Sequence, residues 1–193
     1  MADPTRISPL DDFSGLFQEA TTRTAGAVRL TELPFWGQLN LRIAADAGLD
    51  EQVATALGAA LPREPGTTAA SDSRQILWLG PDEWLILSPP GTDATLEGDL
   101  RRALADQPAS VVEVSSGRTI IEIAGPQARA LLSHGCALDL HRRAFPAGHC
   151  AQTMFAQAAI VLIAQDVDTP IFWLLVRASF ADYLATYLLD ALA

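Results

Sequence analysis

All three histidines (His134, His141, His149) and both cysteines (Cys136, Cys150) of the chain fall in one stretch, SHGCALDLHRRAFPAGHC, from Ser133 to Cys150. Such residues could hold a metal or act as nucleophile and base. Zinc would need ligand pairs at short spacing, Cys-x2–4-Cys or His-x3–5-His, so that one turn of chain offers two ligands to one ion. Here His134 and Cys136 flank a single residue, His141 stands alone, and His149 and Cys150 are adjacent. Adjacent residues of an extended segment point to opposite faces, which makes that last pair a poor joint ligand. Asp139 is the only carboxylate within reach along the chain. A reactive thiolate needs a helix N-terminus or a nearby cation to lower its pKa. Cys136 instead follows the end of a helix-forming run, where the dipole has the opposing sign. The stretch is expected to be a tight, partly buried connection and not a ligand set.

Other candidates fare no better. VSSGRT (114–119) sits between two strands and lacks the lysine of a phosphate loop. It is expected to be a β-turn with Gly117 at positive φ. No GxGxxG, GxSxG or HExxH occurs. Glu113 and Glu122 alternate with apolar neighbours and are expected on a solvated sheet face. Trp36, Trp78, Trp84 and Trp173 are expected as core or interface anchors. No catalytic, cofactor-binding or metal-binding residue is assigned to this chain.

The elements that would position these residues are legible from periodicity. Residues 1–25 read as an irregular arm with a short helix around Phe13–Ala20. AVRLTEL and GQLNLRIA alternate apolar and polar residues and read as strands. GLDEQVATALGAAL reads as an amphipathic helix, PREPGTTAASDS (62–73) as a loop, and RQILWLG and EWLILS as strands. DATLEGDLRRALADQ reads as a helix with an Asp N-cap. The order recurs in the second half: SVVEVS and RTIIEIAG, the helix GPQARALLSHG, three strands over 152–178, and the closing helix SFADYLATYLLDALA. Ser179 is its expected cap, and Phe180, Tyr183, Leu184, Tyr187 and Leu188 its apolar stripe. The expected fold class is α+β, two ferredoxin-like β-β-α-β-β-α modules over 26–108 and 109–193 forming one compact unit.

The composition bounds the partners. A net charge of −10 with 49% hydrophobic residues describes a folded acidic protein. That charge repels phosphate backbones, so nucleic acid is not expected. Apolar runs such as AAIVLIA and IFWLLV are far shorter than the roughly 20 residues needed to span a bilayer, so no membrane is expected either. No basic and apolar leader precedes the arm, and two cysteines make no disulfide framework; a cytoplasmic, reduced setting is the expectation. The charged fraction of 19% is low for a free monomer and leans towards a subunit with a covered interface.

LGPDEWLIL, VSSGRTIIEIAGPQARALLSHGCALDLHRRAF, CAQT and RASFADYLATYLLDA together resemble the gamma subunit of heterotetrameric sarcosine oxidase. The run from Gly125 to His141 is the most specific signature, and the likeness spans about residues 25–193. More distantly the chain resembles the folate-binding domain of glycine-cleavage T-protein. The resemblance implies a non-catalytic structural subunit in an enzyme of sarcosine catabolism and one-carbon metabolism. It implies alpha, beta and delta subunits as partners, which hold FAD, FMN, NAD, tetrahydrofolate and zinc between them, with no cofactor in this chain. The complex oxidatively demethylates sarcosine to glycine, passes the methyl carbon to tetrahydrofolate and produces hydrogen peroxide; the isolated chain is expected to be inactive. Two alternatives stand beside it: a stand-alone folate-binding protein of one-carbon metabolism, and a metal-dependent enzyme built on the His/Cys stretch. No motif matching the catalytic Asp of T-proteins can be placed here. Within LHRRAF, Arg142, Arg143 and Phe145 are the interface candidates, since Arg and aromatic residues are enriched at hot spots. A plug between the two modules is the equal alternative for Phe145.

Overall fold

The structure, a computed structural model, describes residues 6–44, 48–71 and 73–193; Pro4 of the expected arm and Asp72 of the expected loop lie outside the described residues. The arm is more regular than expected. A 3-10 turn, Asp11–Phe13, runs into α1, Ser14–Arg23. Leu10, Phe17 and Ala20 are buried. Exposed Leu16 falls off that inward edge, which blurs the helical period in the sequence.

The first half continues with β1 (Arg29–Leu33), β2 (Gly37–Ile43), α2 (Asp50–Leu57), β3 (Thr68–Ser71), β4 (Arg74–Gly80), β5 (Glu83–Ser88) and α3 (Asp93–Leu104). The second half holds β6 (Ala109–Glu113), β7 (Arg118–Ala124), α4 (Ala128–Ser133), β8 (His149–Phe155), β9 (Ala158–Asp166), β10 (Ile171–Arg177) and α5 (Ala181–Asp190). Each half is therefore β-β-α-β-β-β-α. The strand missed in the first half, β3, lies inside the expected loop. Its sequence TAAS has no apolar alternation, and it forms as an edge strand on β4.

The strands make two five-stranded sheets, β1-β7-β10-β9-β8 and β3-β4-β5-β2-β6, with every pairing antiparallel. Each half gives its first strand to the other half's sheet: β1 pairs with β7, and β6 pairs with β2. The halves 26–108 and 109–193 thus interlock across residue 108 instead of standing as sequential blocks. Period-2 alternation reveals a strand but not its partner, so this exchange is invisible in the sequence. It also corrects SSG, which is a 3-10 turn, Ser115–Gly117, carrying the chain between sheets; Gly117 does not adopt positive φ. Ser115 holds the crossing, its Oγ accepting the Gln38 N–H at 2.8 Å.

Helices cover the outer face of each sheet, and the inner faces meet. Ile121, Ile123, Phe172 and Leu174 pack beneath Leu131, Leu132, Leu184 and Leu188. Leu39, Leu41, Trp84 and Ile86 pack beneath Val53, Leu57, Leu96 and Leu100. Between the sheets, Leu77, Leu85 and Leu87 meet Ile120, Val161, Ile163 and Leu175. Strands buried on both faces read as continuous apolar runs, which explains EWLILS and AAIVLIA. One edge is stitched by backbone: Thr68 N–H donates to the Gly148 carbonyl, and Cys150 N–H donates to that of Gly66, both at 2.8 Å.

The helix caps differ from expectation. α3 is preceded by Thr92, with Asp93 its first residue, and α5 by Phe180; neither makes a side-chain cap bond. Of the expected stripe on α5, Leu184 and Leu188 are buried, while Phe180 and Tyr183 are exposed.

Candidate functional site

The His/Cys stretch folds as a strap leading from α4 to β8. Its start is fixed by close packing: a Cβ on Gly135 would meet the Phe155 ring at 2.6 Å. Cys136 N–H donates to the Leu132 carbonyl at 3.0 Å, and Cys136 bridges to Phe155. His134 is exposed, and its carbonyl accepts the Tyr187 hydroxyl at 3.0 Å. In the middle of the strap, Asp139 Oδ1 accepts the His141 N–H at 2.9 Å, and His141 Nδ1 accepts the Arg143 N–H at 3.3 Å. Both are local turn contacts. Sequence reasoning missed the residue that clamps the strap from below. Arg129 Nε donates to the Leu140 carbonyl at 3.0 Å, and its guanidinium lies 5.3 Å from the centre of the Phe172 ring. No spacing in the sequence signals a contact made to backbone carbonyls.

The strap ends on β8 with its two last candidates on opposite faces. His149 is half-buried, its ring edge-on to Phe145 at 6.4 Å, and its Nδ1 has no hydrogen-bond partner. Cys150 lies between the sheets, with Sγ 3.5 Å from the carbonyls of Thr67 and Trp78. Burial pushes its thiol up to about 11, which leaves it protonated and unreactive at neutral pH. Cys136 belongs to the core on the other side of that sheet. Among the described residues, no three His, Cys, Asp or Glu side chains converge as a metal-ligand set.

Arg142 and Arg143 are exposed on the strap, whereas Phe145 is buried at 6% exposure among Leu140, Leu131 and their neighbours. Phe145 thus sits in the core under the helices of the second-half sheet, neither projecting from the strap nor filling the layer between the two sheets. Glu113 is exposed, but Glu122 is not on a solvated face. It is half-buried, accepting the Trp173 indole N–H at 3.1 Å with Arg29 at 3.9 Å. A cavity of about 420 Å³ lies between α1 and β1. Of the two carboxylates that line it, Asp11 and Glu32, the latter already accepts the hydroxyls of Ser8 and Thr119 at 2.6 Å each. Among the described residues, no helix is long and apolar enough to cross a membrane.

The interlocked pair of five-stranded sheets defines a class of α+β protein shared with the glycine cleavage system aminomethyltransferase T from Bartonella henselae. That structure matches at a TM-score of 0.65 and 14% identity over 89% of this chain and 48% of that one, a likeness of fold alone. The family model of the sarcosine oxidase, gamma subunit family matches residues 42–193, and the chain belongs to that family. It is 34% identical to sarcosine oxidase subunit gamma of Corynebacterium sp. (strain P-1), over 97% of this chain and 90% of that protein. It is 33% identical to the corresponding subunit of an Arthrobacter sp., with the same shares covered. Among solved structures it matches a chain of the heterotetrameric sarcosine oxidase from Corynebacterium sp. U-96 in complex with pyrrole 2-carboxylate. There the TM-score is 0.87 and the identity 30%, over 97% of this chain and 94% of that one.

Proposed function

We propose that this chain is the non-catalytic gamma subunit of a heterotetrameric sarcosine oxidase. The observation that carries the reading is the match, at a TM-score of 0.87 and over 97% of the chain, to a chain of an assembled heterotetrameric sarcosine oxidase. The side-chain inventory supports the non-catalytic part: the two thiols are buried, and His149, the neighbour of Cys150, points to the opposite face of β8. In this reading the alpha, beta and delta subunits hold FAD, FMN, NAD, tetrahydrofolate and zinc in the cytoplasm. The complex converts sarcosine to glycine, passes the methyl carbon to tetrahydrofolate and reduces oxygen to hydrogen peroxide. Gamma supplies surface that completes the assembly.

Co-expression with alpha, beta and delta tests this. The tagged chain is expected to bring down the other three and their flavin absorbance. Purified alone it is expected to be colourless, to give no peroxide with sarcosine and to show no tryptophan-fluorescence change with folates. Failure to bring down the other subunits would sink the assembly role. A flavin band copurifying with the isolated chain would sink the non-catalytic one.

A further inference from the structure

Arg118 opens β7 and Arg177 closes β10, and the two residues are direct cross-strand partners. Both lie on the inner face of the sheet, the face that carries Ile120 and Leu175. They line an open groove of about 380 Å³ at the end of the layer between the sheets. Leu175, Val161 and Ala159 form its apolar floor, while Gln152, Thr153 and Met154 flank it. Like charges directly opposite on paired strands destabilise a sheet. Here the repulsion is sharpened because Arg118 is half-buried. Its own burial first, and Arg177 second, hold its pKa below the ordinary value; Glu83 pulls the other way but is engaged by Asn40 and Arg42 at 2.7 Å each.

The chain has 23 acidic residues against 13 basic ones, all arginine, so carboxylates are plentiful. Arg29, Arg42, Arg63, Arg101 and Arg102 each reach one. Among the described residues, Arg118 and Arg177 form no ion pair and their guanidinium groups make no hydrogen bond. Two forked donors that line one groove from paired positions offer the chemistry that binds a carboxylate. The groove is open and Met154 beside it is 48% exposed. A free ion there would stay largely hydrated and weakly held. A protein surface that also covers Met154 would exclude that water, and Arg and Met are residue types enriched in interfaces. We infer that Arg118 and Arg177 form a carboxylate-binding cleft that receives an acidic side chain of a neighbouring subunit in the assembled oxidase. This inference rests on the subunit reading above.

The test measures binding of the isolated chain to the complex of alpha, beta and delta, at about 50 and 300 mM salt. Wild type is compared with Arg177→Ala and Arg177→Glu, and the melting temperature of each isolated chain is recorded. Arg177→Ala is expected to weaken binding at least about tenfold at low salt. Arg177→Glu should weaken it further, and both should flatten the salt dependence. In the isolated chain both variants are expected to melt at or above the wild-type temperature, because a like-charge contact has been relieved. Unchanged binding and salt dependence would overturn the cleft while leaving the subunit reading intact. A lowered melting temperature that accounts for weaker binding would make Arg177 a structural residue instead. Citrate that raises the wild-type melting temperature but not that of the variants would assign the cleft to a free carboxylate and overturn the partner. Wild type that fails to bind at all would bring down the subunit reading, and this inference with it.

Discussion

Cys136 and Cys150 lie on opposite faces of one five-stranded sheet, Cys136 in the core under the helices and Cys150 in the layer between the sheets. The most chemically suggestive cluster in the sequence is therefore divided by the backbone itself. The two thiols cannot share a ligand or a disulfide without dismantling that sheet. In the native protein both are expected to resist thiol reagents, and both should react after denaturation.

Cys150 also gives stability a pH dependence. Its thiol is raised from 9.0 to about 11 by burial. Below about pH 9 it is protonated whether the chain is folded or not, so it contributes no slope. Between pH 9 and 11 the unfolded chain releases the proton while the folded chain keeps it, and stability falls as pH rises. At pH 10.5 the loss is expected to reach about 2 kcal/mol. Cys150→Ala should be less stable than wild type at pH 8, and the gap should narrow by that amount at pH 10.5. Denaturant titrations of both proteins at both pH values check it; a constant gap would refute the burial effect.

Gly125, the first residue of the signature run, has φ +117, a conformation favourable only to glycine. A Cβ there would sit 2.5 Å from the Ala27 carbonyl oxygen, on the segment that delivers β1 to the second-half sheet. Backbone cannot step aside as a side chain can. Gly125→Ala is expected to destabilise the chain by about 2–4 kcal/mol, seen as a lowered denaturant midpoint. A variant of wild-type stability would show that the close approach is not needed.

What the sequence made legible follows from what each signal reports. Burial on both faces shows as an apolar run, so β5 and β9 were plain; one inward edge shows as a helical period, so α2 and α3 were plain. Partner choice leaves no such trace, so the exchange of β1 and β6 is hidden, although both segments carry the pattern of a strand. β3 was lost because an edge strand of small residues looks like a loop. Of the three interface candidates, the aromatic one turned inward. A buried plug and a protruding anchor have the same composition, and only the fold tells them apart. The Arg118–Arg177 pair is hidden for the reason that hides the partner of β1: residues far apart in sequence meet only through strand register.

Trp84 locks the segment after α2 to the first-half sheet. It is fully buried, and its indole N–H donates to the Pro62 carbonyl at 2.9 Å. Trp84→Phe leaves that carbonyl without its donor and opens space beside it. The expected cost is about 2–3 kcal/mol, measured by chemical denaturation. A loss below about 0.5 kcal/mol would show that the bond is replaced by solvent.

The strap carries exposed and buried side chains within a few residues of each other. Arg142 and Arg143 are exposed, and among the described residues their side chains make no hydrogen bond or ion pair. Removing both should leave the isolated chain at its wild-type melting temperature, since surface changes away from caps and ion pairs rarely exceed about 0.5 kcal/mol. Phe145 is buried against Leu140 and edge-on to His149. Phe145→Ala should therefore cost about 3–5 kcal/mol in the isolated chain, whatever the partners do. If the strap docks on alpha or beta, the double arginine variant will copurify poorly with them despite its unchanged stability. The Phe145 variant will then fail in proportion to its unfolding. A double variant that assembles like wild type would move docking away from the strap, and one that melts early would make the arginines part of the fold.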